Sequence, residues 1–159
     1  MSTYAGIGSR QTPPGALRGL ERLAEELSEE GHILRTGGAP GADTAFANGA
    51  WPNAEIYLPW SGFNGHADAD AELTDPMEEA FLIAKFHHPA WERLSHASKK
   101  LHARNTHIIL GRDLQEPVEF VICWTPGARK QGGTAQGIRI AEDSSIPVIN
   151  FGRWGWSGS

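Results

Sequence analysis

Sulfur is scarce in this chain, which has one cysteine, Cys123, and two methionines. A lone cysteine excludes an internal disulfide and a thiolate metal cluster, and it fits a reducing, cytoplasmic setting. Long apolar runs are missing too. Stretches such as Val118–Trp124 are far shorter than the ~20 residues a membrane-spanning helix needs, so no membrane partner is expected. Met1–Arg10 has no basic start followed by an apolar run, which argues against a secretory signal. Nor is there a basic excess. The 14 Lys and Arg residues stand against 19 Asp and Glu, a net charge of −5 with neutral histidines. Dedicated nucleic-acid binders are strongly basic as a rule, so this balance favours a small nucleotide over long DNA. P-loop spacing is absent, as is G-x-G-x-x-G with its ribose-binding acid. Both absences speak against a kinase or a dehydrogenase.

What remains is an ordinary globular composition, 40% hydrophobic and 21% charged over 159 residues, enough for one domain with a core. Tyr4–Gly8, Ile33–Arg35 and Glu55–Leu58 read as strands. The segments at about 15–30 and 43–49 between them read as helices, with Leu17, Leu20, Leu23, Ala24 and Leu27 on one face of the first. Pro59–Asp75 reads as a long loop, while Pro76–Lys85 and Pro89–Leu110 read as helices. Val118–Trp124 is a strand buried on both faces, Thr134–Asp143 a helix, and Ile146–Phe151 a last strand. The alternation predicts an α/β fold, a three-layer Rossmann-like open parallel sheet with helices on both faces. One domain is expected over 1–152, with a tail over 153–159.

Three of these strands end in turns rich in glycine and hydroxyls: Gly6/Gly8/Ser9, Thr36/Gly37/Gly38/Gly41 and Gly132/Gly133/Thr134. In an open parallel sheet such turns share one edge, where ligands collect at the point of strand-order reversal. Glycine lets the backbone approach a phosphate, and the helix that follows offers free N–H groups and a positive dipole end. Ser9 and Thr134 add hydroxyls, and Arg10 adds a charged fork. Each turn alone is equally explained by the tightness of a strand-to-helix loop. Three at equivalent positions point to a shared phosphate site.

The stretch LRTGGAPGADTAFANGA, Leu34–Ala50, resembles the GGA-x-G-x-D-x-x-A motif of the DprA/Smf proteins. HARNTHIILG, His102–Gly111, is similar to their Arg-Asn segment. GGTAQGIRIAEDSSIPVINF resembles the closing strand-helix-strand of the wider SLOG superfamily, which includes the LOG phosphoribohydrolases and YpsA. The blocks follow that family's order from about Tyr4 to Phe151. Small stand-alone members are often phage-encoded and often form homo-oligomers, so a homo-oligomer is expected. The resemblance implicates Gly8, Ser9 and Arg10, then Gly37, Gly38, Ala39, Gly41 and Asp43, then Arg104 and Asn105, and finally Gly132, Gly133 and Thr134. Arg35 and Trp124 join them as strand-end candidates. Asp43 is expected to hold its loop or cap its helix, since two anions repel.

Three functions compete on such a scaffold. One is a nucleotide-binding module that senses or sequesters a nucleotide or an NAD-derived signal, with no cofactor. Another is an N-glycosidase acting on nucleoside 5′-monophosphates, as LOG enzymes do. The third is single-stranded DNA binding of the DprA kind. The enzyme needs a carboxylate at the anomeric carbon. LOG enzymes supply it as a glutamate just after the third turn, where this chain has Ala135, Gln136, Gly137 and Ile138. Asp68, Asp70 or Glu72 would have to substitute, and no catalytic residue is assigned. For DNA, a local rim of Lys99, Lys100, Arg104, Arg129 and Lys130 is the available cation set, and in an acidic chain it ranks below nucleotide binding.

The histidines His87, His88, His96, His102 and His107 lack the i, i+4 pair of a zinc helix, and His66 with Asp68 and Asp70 is at most a weak cation site. No metal is expected, and Cys123 reads as an inert core thiol. Trp60 and Trp124, at strand ends, are placed either to stack on a base or to pack the core. Trp91, Trp154 or Trp156 would suit an interface between copies if exposed.

Overall fold

The computed structural model describes residues 2–153. Strand β1 (Thr3–Gly8) lies at the centre of a five-stranded sheet. On one side it pairs with β2 (Ile33–Thr36), which pairs with β3 (Ala54–Ile56). On the other it pairs with β4 (Phe120–Trp124), which pairs with β5 (Val148–Asn150). All pairings are parallel, in the order β3-β2-β1-β4-β5. The α/β Rossmann-like architecture expected from the alternation is the one observed.

Period-two alternation along the strands assembles the layers. Tyr4, Ile122 and Trp124 face α1 (Pro14–Glu29) and α2 (Ala42–Ala50), meeting Leu20, Ala24 and Phe46. Ala5, Ile7, Val121 and Cys123 face the other way, onto Ile108, Ile109, Ile138 and Ile140 of α4 (His96–Leu110) and α5 (Gly132–Asp143). Helix α3 (Glu78–His87) packs outside, on α4 and α5. Cys123 is fully buried and its thiol is pushed up to about 12 by burial, so it is a core side chain and no nucleophile.

Local signals set the ends of the elements. Helix α1 starts with Pro14 in its first turn, where the missing N–H costs nothing, and Gly31 at φ +92° turns the chain out of it. The segment 89–110 is not one helix. It is a short 3-10 turn at Trp91–Arg93 followed by α4, because the Ser95 hydroxyl caps the helix by accepting from the Ser98 N–H at 3.1 Å. Helix α5 begins at Gly132, two residues before the expected start, and β5 ends at Asn150. Trp91 is 9% exposed, flanked by His88 with Lys99 over its ring, so it gives no surface to a second copy. Trp154 and Trp156 lie outside the described residues. The exposed large apolar side chains include Leu82 and Phe86 on α3. No helix among the described residues is long and apolar enough to cross a membrane.

Some glycines are consumed by packing. A Cβ on Gly6 would stand 2.6 Å from the Phe46 ring, so this residue seats α2 on β1 and serves no turn. Gly49 does the same between α1 and α2, where a Cβ would lie 2.0 Å from the Glu21 carbonyl oxygen. Backbone cannot yield as a flexible side chain does. Gly49→Ala is therefore expected to cost about 2 kcal/mol, within the usual range for overpacking. Urea denaturation should show a lower midpoint with an unchanged slope; an unchanged midpoint would mean that α1 and α2 are not packed this closely.

Candidate functional site

Strand order reverses between β1 and β4. The chain leaves β1 toward β2 and leaves β4 toward β5, so the two following loops diverge and open a crevice at the C-terminal edge. A cleft of about 570 Å³ occupies that place, a size ordinary for a small-molecule site. Its floor is the β1 turn (Gly8, Ser9, Arg10) and the first turn of α5 (Gly132, Gly133, Thr134), and its walls include Ala39, Asp43, Arg104 and Asn105.

The turn after β1 is tightly held. Gly8 has no room for a side chain, since a Cβ would meet that of Ala42 at 2.6 Å. The Ser9 N–H donates to the Trp124 carbonyl, tying the β1 and β4 ends together, and the Ser9 hydroxyl accepts from the Gln11 N–H. Arg10 is exposed beyond it. Across the cleft, α5 starts without a side-chain cap. Asn105 Nδ2 donates to the Gly133 carbonyl at 3.2 Å, which fixes α5 against α4.

The β2–α2 loop is organised from within. Asp43, in the first turn of α2, is 5% exposed and accepts from the Ala39 N–H at 3.2 Å; the Gly37 N–H also stabilises its charge. Arg104, equally buried, donates through Nη1 to the carbonyls of Gly37 and Tyr57 and through Nε to Asn105 Oδ1. A Cβ on Gly37 would lie 2.8 Å from both the Asp43 carboxylate and the Arg104 guanidinium, so only glycine lets the pair flank it. Gly38, at φ +71°, turns its carbonyl to Asn64 Nδ2 and His66 Nε2, each at 3.0 Å. Burial raises Asp43 to about 6, against the pull of Arg104, the two amides and Arg10. Burial lowers Arg104 to about 10, with Asp43 opposing the shift and Arg10 adding to it.

The sequence candidates therefore divide. Gly8, Ser9, Arg10, Ala39, Asp43, Arg104, Asn105, Gly132, Gly133 and Thr134 line the cleft. Gly37, Gly38 and Gly41 shape the loop behind it. Arg35 does not belong to the site: it is 4% exposed, with Nε 3.1 Å from Glu55 and Nη1 on the Glu116 carbonyl. Trp124 packs in the core on the α1–α2 side, and Trp60 lies edge-on to Phe63, so neither reaches the cleft to stack on a base. The loop carboxylates are elsewhere too. Asp68 accepts from Ser61 and Gly62, and Glu72 pairs with Arg112. Among the described residues, no group of His, Cys, Asp and Glu could hold a metal ion. Ser98, Leu101 and His102 also line the cleft. Sequence reasoning missed them, although their spacing to Asn105 (i, i+3, i+4, i+7) is that of one helix face.

No family model and no curated protein matches the chain. Solved structures do. DNA processing protein A from Helicobacter pylori, studied for its single-stranded DNA binding mode, superposes at a TM-score of 0.62 with 20% identity, covering 94% of this chain and 64% of that one. The fold is DprA-like. TM1055, a structural-genomics target, gives 0.56 and 17% over 94% and 73%, and DNA processing protein A from Streptococcus pneumoniae gives 0.52 and 14% over 94% and 49%. The chain thus spans less than two thirds of either DprA protein.

The Asp43 environment sets a pH dependence. Its carboxyl titrates near 3.8 unfolded and near 6 folded, so between these values the folded protein keeps a proton the unfolded chain has lost. The stability from this group is complete below about pH 4 and falls as pH rises through 6, by about 3 kcal/mol. Denaturation of wild type and Asp43→Asn at several pH values should show the wild-type advantage shrinking over that window; a constant difference would refute the buried, proton-holding carboxyl.

Proposed function

We propose that this chain binds a nucleotide by one phosphate, held between the β1 turn and the N-terminus of α5. The observation that carries the reading is the convergence, on one cleft at the strand-order reversal, of an uncapped helix start with the Arg10 and Arg104 guanidinium groups. The free N–H groups and the helix dipole, about half a positive charge, favour an anion there. Asp43 does not cancel them, because its carboxylate is turned to the amides of its own loop. Arg104 spends Nη1 and Nε on structural bonds, so it adds fixed charge while Arg10 supplies a mobile fork. The reading aligns the chain with the nucleotide-holding branch of the SLOG proteins that its motifs resemble, in a sensing or sequestering role.

Single-stranded DNA is the second reading, favoured by the likeness to the Helicobacter protein. The same floor would hold one phosphodiester. Several cations of the expected rim are engaged elsewhere: Lys99 over Trp91, Lys100 with Asp75, and Lys130 with Glu142. N-glycosidic cleavage has less support, since Asp43 is the carboxylate that lines the cleft.

Gly133→Asp separates binding from folding. A Cβ at Gly133 meets nothing within 4 Å, and an acid near a helix start stabilises the helix. Calorimetric titration should show nucleoside 5′-monophosphate affinity falling about ten-fold or more, with Tm unchanged or higher, because the new carboxylate occupies the phosphate position. Unchanged affinity in the variant would remove the phosphate site. Tight binding of an oligothymidylate with a steep salt dependence, and none of mononucleotides, would favour the DNA reading.

A further inference from the structure

Helix α4 runs antiparallel to the strands: Ile109 at its end accepts from the Val118 N–H just before β4, while Arg104 bonds the Gly37 carbonyl just past β2. Its first two turns therefore stand above the C-terminal edge of the sheet. Asn105 meets α5 at the floor, and His102, Leu101 and Ser98 climb from it along the cleft wall. At 1.5 Å per residue they lie roughly 5 to 10 Å above the floor, the height at which a ribose standing on a floor-bound phosphate presents its base.

We propose that this wall of α4, Leu101 with His102 and Ser98 above them, is a nucleobase subsite, so that the cleft takes a nucleoside monophosphate. The inference rests on the phosphate reading of the floor. Three observations support it. Leu101 is a half-buried apolar side chain that lines the cleft on the α4 side, and Ile7, Ala39 and Pro126 add apolar lining elsewhere in it. His102 carries no charge at neutral pH, its pKa lowered to about 4 by burial and by the charges of His88, Arg139 and Arg104. One side of its ring meets the His88 ring, centroids 4.6 Å apart, and the part that lines the cleft is a neutral surface for a heterocycle to pack on. Finally, the lysines of this helix turn away from the cleft, Lys99 onto the Trp91 ring at 5.6 Å and Lys100 toward Asp75 at 3.8 Å. The wall therefore has no lysine to hold a second phosphate, and it selects a base over a longer polyphosphate or a bare sugar phosphate.

The test compares inorganic phosphate, ribose 5-phosphate and the four common nucleoside 5′-monophosphates, titrated into wild type, His102→Ala and Leu101→Ala, with Tm as the folding control. At least one mononucleotide should bind wild type about ten-fold or more tighter than ribose 5-phosphate. Each variant should lose most of that advantage while ribose 5-phosphate affinity stays within two-fold, roughly the scatter of such measurements. Equal affinities of wild type for ribose 5-phosphate and all four mononucleotides would overturn the base subsite and leave the phosphate floor standing. Equal loss of ribose 5-phosphate and mononucleotide binding in a folded variant would also overturn it, by making the wall structural. Absence of binding by every probe would overturn the phosphate reading and this inference together, and Gly133→Asp would then show no loss to measure.

Discussion

A buried guanidinium fixes the shape of the cleft. Arg104 lies on α4, yet its Nη1 hydrogen bonds end on the carbonyls of Gly37 and Tyr57, which follow β2 and β3. Through this one side chain a helix on one face of the sheet is tied to two strand ends. A charge removed from water this completely is tolerated only where partners surround it. Asp43 supplies the opposite charge from the far side of Gly37, and the Asp43 carboxylate is in turn satisfied by the amides of the loop it closes. The glycine between them is thus dictated by electrostatics: any Cβ there would push the two charges apart and leave both desolvated. The loop after β2, α2 and α4 consequently share one network, and the cleft walls are its visible side.

That network redistributes the jobs that a run of glycines suggests. The turns after β1, β2 and β4 look equivalent in sequence, each a cluster of glycine and hydroxyl groups. In the structure the β1 turn is tight because Ala42 abuts Gly8, and the β2 turn spends its amides on Asp43. All three following helices start without a side-chain cap, but only the turn before α5 keeps open space around its glycines, Gly132 and Gly133. A phosphate would find its backbone donors chiefly there, with the other two turns acting as frame.

The parallel sheet was legible because its strands are short, β-prone segments with glycine or proline close to their ends, and the helix between β1 and β2 has a clear apolar face. Boundaries slipped where a single cap decides them, as at Ser95, which splits a stretch of helical composition into a turn and α4. The cleft's floor was legible from the strand-end glycines, and so were Ala39, Asp43, Arg104 and Asn105 of its walls, but the upper part of α4 was not. Ser98, Leu101 and His102 are unremarkable residue types on a helix, and only the topology, which lifts the start of α4 above the sheet edge, brings them to the cleft. Arg35 misled for the opposite reason. An arginine at a strand end reads as a phosphate group, yet burial beside Glu55 and Glu116 makes it a strut between β2, β3 and the segment before β4.

The acidity of the chain and the anion site proposed for it are compatible once charge is located instead of summed. Several exposed charges cancel in pairs, as Lys130 does with Glu142 and Arg112 with Glu72, and such pairs contribute little field at the distance of the cleft under physiological salt. Inside the cleft the balance is different: two guanidinium groups and a helix start oppose one carboxylate held among amides. A site of this kind attracts an anion only once it has arrived, because the surrounding negative charge gives no long-range steering. That suits a small nucleotide present at ordinary cellular concentration. It suits a polyanion less well, since a chain of net charge −5 offers no general attraction to the phosphates beyond the one in the cleft.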